Sequence, residues 1–198
     1  MSSASLVLAS KSASRRAMLD AAGVAYGAVP ADVDERAVER SLEGANAGEI
    51  AEALSVAKAA EVAKSHAGRL VLGSDSLVVA GGQRFDKPGS REEAAEHLRF
   101  FSSKTIELHS AAALVRDDTC LWSHADCARL EVRDLSEEFI EHYLALEWPA
   151  ISFTVGCFRI EGPGVQLFAA IEGDQFTVLG MPLLPVLEAL RDEGALLA

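Results

Sequence analysis

A lysine stands where a core residue is expected. From Ala47 to about Ala67 the alanine-rich composition and the spacing Ile50, Leu54, Lys58, Val62 describe an amphipathic helix whose apolar stripe includes Lys58. An ammonium group on such a stripe must either snorkel to water or meet an anion. Asp75 poses the complementary problem in Val71-Leu72-Gly73-Ser74-Asp75-Ser76-Leu77-Val78-Val79, a carboxylate inside an apolar strand. Its burial is costly unless a cation, either a metal ion or a lysine, compensates it, and the small residues beside it would let a ligand approach the backbone.

Further charged groups gather nearby in sequence. Lys11, Arg15 and Arg16 fall at a strand-to-helix junction in a chain that is otherwise acidic. Backbone N–H groups and the dipole at a helix start favour phosphate there, and arginine adds a planar fork of donors, although the same cluster also reads as a solvated basic face. Asp32, Asp34 and Glu35 follow a short strand and place three carboxylates within four residues. Hard cations such as magnesium take oxygen ligands of this kind, usually one or two carboxylates beside phosphate oxygens, and acidic surface loops look the same in sequence. Asp86-Lys87-Pro88 reads as an ordinary turn that could return a second lysine to the region of Asp75.

The elements that must position these groups alternate in type. Leu6 to Ala9 is a short apolar strand, followed by a helix through Ala22 that Ser12 or Ser14 could cap. Leu70 to Ala80 reads as a strand interrupted by Gly73-Ser74-Asp75-Ser76, with Gly81-Gly82 as a hairpin turn. Ser90 to about Phe101 is helical with Ser90 and Glu93 as a capping box, strands are expected at Ile106 to Val115 and Cys120 to Val132, and Ser136 to Leu146 repeats the capped pattern. After Trp148-Pro149, strands are expected at Ile151 to Val155 and Val165 to Ile171, flanking a Gly156 to Gly164 loop, before a helix from Pro182 to about Glu193 that ends at Gly194. This mixture predicts an α/β or α+β architecture, and 198 residues suit one domain or one compact domain with two lobes.

Composition restricts the function. Eighteen basic against thirty acidic residues give a net charge of −12, which opposes a nucleic-acid polymer and leaves small anions as partners where positive charge is concentrated locally. No apolar stretch approaches the length of a membrane span, and the basic residues of the first segment follow a very short apolar run, unlike a signal peptide, so a cytoplasmic location is expected. Cys120, Cys127 and Cys157 form neither a CxxC pair nor an even disulfide set and are expected to be buried thiols. His66, His97, His109, His124 and His142 are scattered, which suits structural or exposed positions. The chain has no GxxxxGK loop, GxSxG elbow or HExxH pair.

Taken in order, Leu8-Ala9-Ser10-Lys11-Ser12-Ala13-Ser14-Arg15-Arg16, Asp32-Val33-Asp34-Glu35, Ala57-Lys58-Ala59, Gly73-Ser74-Asp75-Ser76 and Asp86-Lys87-Pro88 resemble the Maf family. The resemblance continues through Gly156-Cys157-Phe158-Arg159-Ile160-Glu161-Gly162 and Ile171-Glu172-Gly173-Asp174 to Val178-Leu179-Gly180-Met181-Pro182-Leu183, nearly the whole of residues 1–198. It implies a Maf/ITPase-like α/β fold, an elongated mixed sheet with flanking helices and two lobes around a central cleft, often dimeric. The implied activity is a nucleoside triphosphate pyrophosphatase that uses magnesium or manganese. Asp75 is then the proton acceptor and Glu35 a metal-linked carboxylate, with both as metal ligands. Lys58 and Lys87 are catalytic phosphate ligands, and Ser10, Ser12, Arg15 and Arg16 bind substrate phosphate.

In the same resemblance Ser14, Ser76 and Glu161 tune the choice of base. The Gly-Ser-Asp form and the Phe-Arg-Ile-Glu-Gly segment look more like the branch acting on 7-methyl-GTP than the branch acting on dTTP and UTP. A carboxylate at Glu161 can accept from the N1–H and exocyclic amine of guanine, a donor pair that thymine and uracil lack. Departures from the family pattern are Ala13, where proline is usual, and Ser14, where the methylguanine branch often has tryptophan. Two other readings follow from the same resemblance, a non-enzymatic regulator of septum formation and a pyrophosphatase for deaminated purine nucleotides such as ITP.

Overall fold

Leu6–Leu8, a short run of buried apolar residues, forms β1 at the start of the described part of a computed structural model that covers residues 6–197. The first five residues, part of the N-terminal segment whose pattern is unlike a signal peptide, lie outside that range. Ser12 caps α1 (Ala13–Ala21) through its side chain, so of the two candidates the first is the cap. β2 (Tyr26–Ala28) leads to α2 (Glu35–Arg40), which Asp34 caps, and α3 (Ala47–Ala63) opens with a complete capping box between Asn46 and Glu49. β3 (Leu70–Ala80) and β4 (Gln83–Phe85) form the expected hairpin, with Gly81 and Gly82 both at positive φ. β3 nevertheless runs unbroken through the expected interruption at Gly73-Ser74-Asp75-Ser76, because its place between β1 and β5 in the sheet overrides the local turn signal.

α4 (Arg91–Phe101) follows Ser90, whose side chain accepts from the Glu93 N–H, but the Glu93 carboxylate accepts instead from Gly89. The capping box expected here is therefore half formed. β5 (Thr105–Arg116), β6 (Thr119–Val132) and α5 (Glu137–Glu147) match their expected positions closely. The chain ends with β7 (Phe168–Glu172), α6 (Gln175–Val178) and α7 (Leu183–Asp192), followed by Gly194 at positive φ.

Two further strand expectations are corrected. Ala150–Phe153 and Val155–Cys157 are short 3₁₀ turns rather than a strand, and Pro163–Leu167 is another, so the second expected strand begins only at Phe168. Apolar runs this short carry no periodicity that separates strand from turn, and the local hydrogen bonds Thr154 N–H to Ile151 O and Val165 N–H to Gly162 O decide for the turn.

The architecture is α/β, a mixed sheet with flanking helices. Among the described residues the strand order is β2-β1-β3-β5-β6-β7, with β4 off this path on β3. β1 pairs in parallel with β2 and β3, whereas β3–β4 and β6–β7 are antiparallel. The chain divides into two compact units, one of residues 1–76, 110–126 and 180–198 and the other of 77–109 and 127–179. In the first, Val7, Ala59, Val62, Val71 and Val115 share a core. In the second, Phe85, Leu98, Phe101, Leu130, Ile140 and Phe158 do. Among the described residues no helix is long and apolar enough to cross a membrane.

The cysteines are unpaired, and only Cys157 is fully buried, so the expectation of buried thiols fails for exposed Cys120 and half-buried Cys127. Burial pushes the Cys157 thiol up to about 12, which keeps it protonated. Its Sγ lies 3.4 Å from Nδ1 of His97, whose ring meets Phe85 edge-on at 5.0 Å. Burial lowers the His97 pKa, against the opposing pull of Glu93, Glu96 and Asp86.

A histidine depressed in the folded state stabilises fully above its unfolded value, near 6.5, and loses that contribution as pH falls through 6.5 towards the folded value. The melting temperature should therefore fall between pH 7.5 and pH 5, and His97→Gln should flatten part of that fall. An identical pH profile in thermal melts of the two proteins would remove His97 as the cause.

Candidate functional site

The stripe of α3 brings Lys58 to two carboxylates. Its Nζ lies 2.5 Å from Asp75 Oδ1 and 2.7 Å from Glu35 Oε1. The lysine that could snorkel or meet an anion does the latter, because Asp75 on β3 is 8% exposed and has little water to solvate it. Glu35 enters from the first turn of α2. The acidic run that precedes it divides by role: Asp34 accepts from the Ala37 N–H as a helix cap and Asp32 is exposed.

Gly73 makes this meeting possible. A Cβ built there would lie 2.0 Å from the Ser55 carbonyl oxygen and 2.8 Å from the Ala59 nitrogen, so α3 packs on the bare backbone of β3 two residues before Asp75. Ser55 turns its own hydroxyl back to Ala51 O at 2.7 Å and leaves the approach unobstructed.

Strand alternation sends Ser74 and Ser76 to the face opposite Asp75. Both hydroxyls reach the Gly180 carbonyl, at 3.3 and 3.1 Å, and Arg15 Nε donates to the same oxygen at 2.9 Å. Arg15 also donates from Nη1 to Ser10 Oγ at 3.3 Å and from Nη2 to Ser76 Oγ at 3.0 Å. These bonds leave one N–H on each terminal nitrogen for an incoming anion. Burial lowers the Arg15 pKa while Asp75 and Glu35 raise it, so the guanidinium stays charged. Ser10 is buried and accepts from the Ser12 N–H at 3.2 Å, and Arg16 Nη2 lies 3.5 Å from Ser10 O. Arg16 also lines a shallow surface depression with Asp20 and Tyr26.

Thus Ser10, Arg15, Glu35, Lys58, Asp75 and Ser76 belong to one unit, with Ser12 and Ser14 at the start of α1. Lys87 and Glu161 belong to the other, both exposed. The loop carrying Glu161 is braced within that unit. Tyr143 donates to Cys157 O at 3.0 Å, Arg159 makes paired bonds of 2.8 and 2.9 Å to Glu147, and Gly164 lies against the Arg159 backbone where a Cβ would come within 2.5 Å. In Ile171-Glu172-Gly173-Asp174 the aspartate caps α6, and a Cβ on Gly173 would meet Ala128 Cα at 2.9 Å.

Ser110, whose hydroxyl lies 3.0 Å from Ser76 Oγ, and Glu147 join these networks without being among the residues expected from the sequence. The signal was present, since Ser110 continues the buried register Ile106, Leu108 and Glu147 continues the stripe Ile140, Tyr143, Leu144. A polar residue in an apolar register asks for a partner, as Lys58 did.

The donor chemistry suits a hard divalent ion only in part from the protein itself. Glu35 and Asp75 converge on one cation, which fits an ion that takes one or two carboxylates and completes its shell with phosphate oxygens and water. Among the described residues no group of three or more His, Cys, Asp or Glu could close a cage around a metal.

The sequence model of the Maf family, described as Maf-like protein, matches residues 5–193. The chain belongs to the Maf family. It is 46% identical to a 7-methyl-GTP pyrophosphatase of Rhizobium meliloti (strain 1021), over 96% of this chain and 97% of that one. A 7-methyl-GTP pyrophosphatase of Mesorhizobium japonicum is 47% identical with the same two coverages. A nucleoside triphosphate pyrophosphatase of Nitrobacter hamburgensis is 44% identical, over 96% of this chain and 95% of the relative.

Removing one partner of a buried pair leaves the other uncompensated. Lys58→Met satisfies the apolar stripe of this Maf protein but strands Asp75, and should cost about 3–5 kcal/mol in urea denaturation. Lys58→Met with Asp75→Asn should recover at least half of that loss. A double variant no more stable than Lys58→Met would mean that the ion pair does not set the cost.

Proposed function

We propose that this Maf protein hydrolyses a nucleoside triphosphate to the monophosphate and pyrophosphate, with a guanine-type base and 7-methyl-GTP as the leading substrate. The Lys58 ammonium shared between Glu35 and Asp75 is the observation that carries this reading. It sets a buried carboxylate beside a cation that a polyphosphate can recruit, in the same unit as an arginine with N–H groups to spare. The pyrophosphatase names of the relatives support the same reaction. The net charge of −12 favours a small anion drawn to local positive charge over a polymer.

In this reading Lys58 holds Asp75 Oδ1, and Oδ2 orients a water and takes its proton as the water oxygen bonds to the α-phosphorus. The bond from that phosphorus to the bridging oxygen breaks, and pyrophosphate leaves with the electron pair. Lys58 and Arg15 offset the charge that builds on the phosphate oxygens, with Lys87 as a further phosphate ligand and Ser10, Ser12 and Arg16 supporting the phosphate end. Glu35 and Asp75 would hold a magnesium or manganese ion, which supplies charge neutralisation at the phosphates. Glu161 reads the base as an acceptor for the guanine N1–H and amine, with Ser14 beside the phosphate end. A cytoplasmic nucleotide pool and a homodimer complete the reading.

A panel of 7-methyl-GTP, GTP, UTP and dTTP assayed for pyrophosphate release with each metal tests the activity. Asp75→Asn should lower kcat by about 10²-fold or more, the range of a positioned general base, while the protein still unfolds cooperatively. Turnover within about threefold of the unaltered protein would remove Asp75 as the base.

For Glu161→Gln, one acceptor remains but the amide faces a donor. The loss in kcat/KM should be about tenfold greater for 7-methyl-GTP and GTP than for UTP and dTTP. An unchanged ratio across the four nucleotides would show that Glu161 does not read the base.

A further inference from the structure

The Ser76 hydroxyl has no hydrogen-bonding capacity left for a nucleobase. A serine offers one donor and two acceptor sites. Ser76 Oγ lies 3.1 Å from Gly180 O, 3.0 Å from Arg15 Nη2 and 3.0 Å from Ser110 Oγ. Arg15 can only donate and the carbonyl can only accept, so the Ser76 proton goes to Gly180 O and the Ser110 hydroxyl supplies the third bond. Were Ser76 to donate to Ser110 instead, its oxygen would face the Gly180 oxygen at 3.1 Å with no proton between them. Ser110 is fully buried, so the network is built from inside the unit rather than improvised at its surface.

We infer that Ser76 is a positioning residue for Arg15, acting on the phosphate end of the site through the guanidinium, and that Ser110 supports it from beneath. The inference rests on the proposed phosphate role of Arg15 and reassigns Ser76 from the base to the phosphates. Nε of Arg15 is fixed on Gly180 O, Nη1 on Ser10 and Nη2 on Ser76, which sets the plane of the fork and aims its remaining N–H groups. Gly180 sits at φ +102, a left-handed value that favours glycine, and its carbonyl receives Arg15, Ser74 and Ser76 together. Loss of the Ser76 hydroxyl releases one end of the fork and removes one of the three donors on Gly180 O.

The test separates phosphate from base by using a ligand without a base. Binding of magnesium tripolyphosphate should weaken about tenfold in Ser76→Ala, the usual effect of losing one hydrogen bond to a charged group. The kcat/KM values for 7-methyl-GTP, GTP, UTP and dTTP should fall together, their ratios moving by less than about twofold. Ser76→Thr, which keeps the hydroxyl, should restore most of the binding. In an Arg15→Ala background Ser76→Ala should have almost no further effect, because the two residues act as one unit. Ser110→Ala, a second variant for the case in which Ser76→Ala does not fold, should weaken tripolyphosphate binding about threefold. Unchanged tripolyphosphate binding with a base ratio shifted tenfold or more would overturn the inference, as would unaltered protein that binds no tripolyphosphate. A protein that releases pyrophosphate from none of the four nucleotides, yet shows the Ser76 and Arg15 coupling in tripolyphosphate binding, would overturn the nucleotide reading and support the positioning role.

Discussion

Asp75 is a carboxylate in a strand whose neighbours along the chain are small or apolar, and a charge in that position requires a cation brought to it by another element. The rest of its unit serves that requirement. Gly73 lets α3 approach backbone to backbone, the helix period delivers Lys58 at the level of Asp75, and Asp34 starts α2 so that Glu35 reaches the same ammonium. An ion pair of this kind adds little to stability over an apolar replacement, yet breaking one half is expensive. Its presence is more easily understood as a poised charge balance that an incoming polyphosphate can alter.

The two faces of β3 divide the work. Asp75 turns to α3, while Ser74 and Ser76 turn to Gly180 and Arg15, so successive residues hold the proposed base and the proposed phosphate ligand. The Gly180 carbonyl oxygen ties the C-terminal segment to Arg15, Ser74 and Ser76. This explains why Gly180 lies within a motif although it has no side chain to offer.

The loop bearing Glu161 follows a similar logic in the other unit. Gly156 and Cys157 take left-handed backbone, Tyr143 holds the Cys157 carbonyl, and a buried Glu147 grips Arg159 through both of its oxygens. Such bracing limits the loop's freedom, which suits the proposed role of Glu161 as an acceptor of two bonds in register.

Much of this was legible in the residues alone, because periodicity and charge act locally. The 3.6-residue spacing through Leu54, Lys58 and Val62 placed the lysine on a buried stripe, and the apolar setting of Asp75 marked its need for a cation. The resemblance of the ordered motifs supplied the family, which the match over residues 5–193 established. Only tertiary structure decided which need answered which, since partners seventeen residues apart, or a hundred and more in the case of Gly180, meet through packing that sequence separation does not encode. The short segments around Ile151 and Val165 took their turn conformation from local hydrogen bonds too brief to leave a pattern. Ser76 shows the same division: its type and place in Gly-Ser-Asp-Ser were visible, but the saturation of its hydroxyl depends on three groups brought to it by the fold.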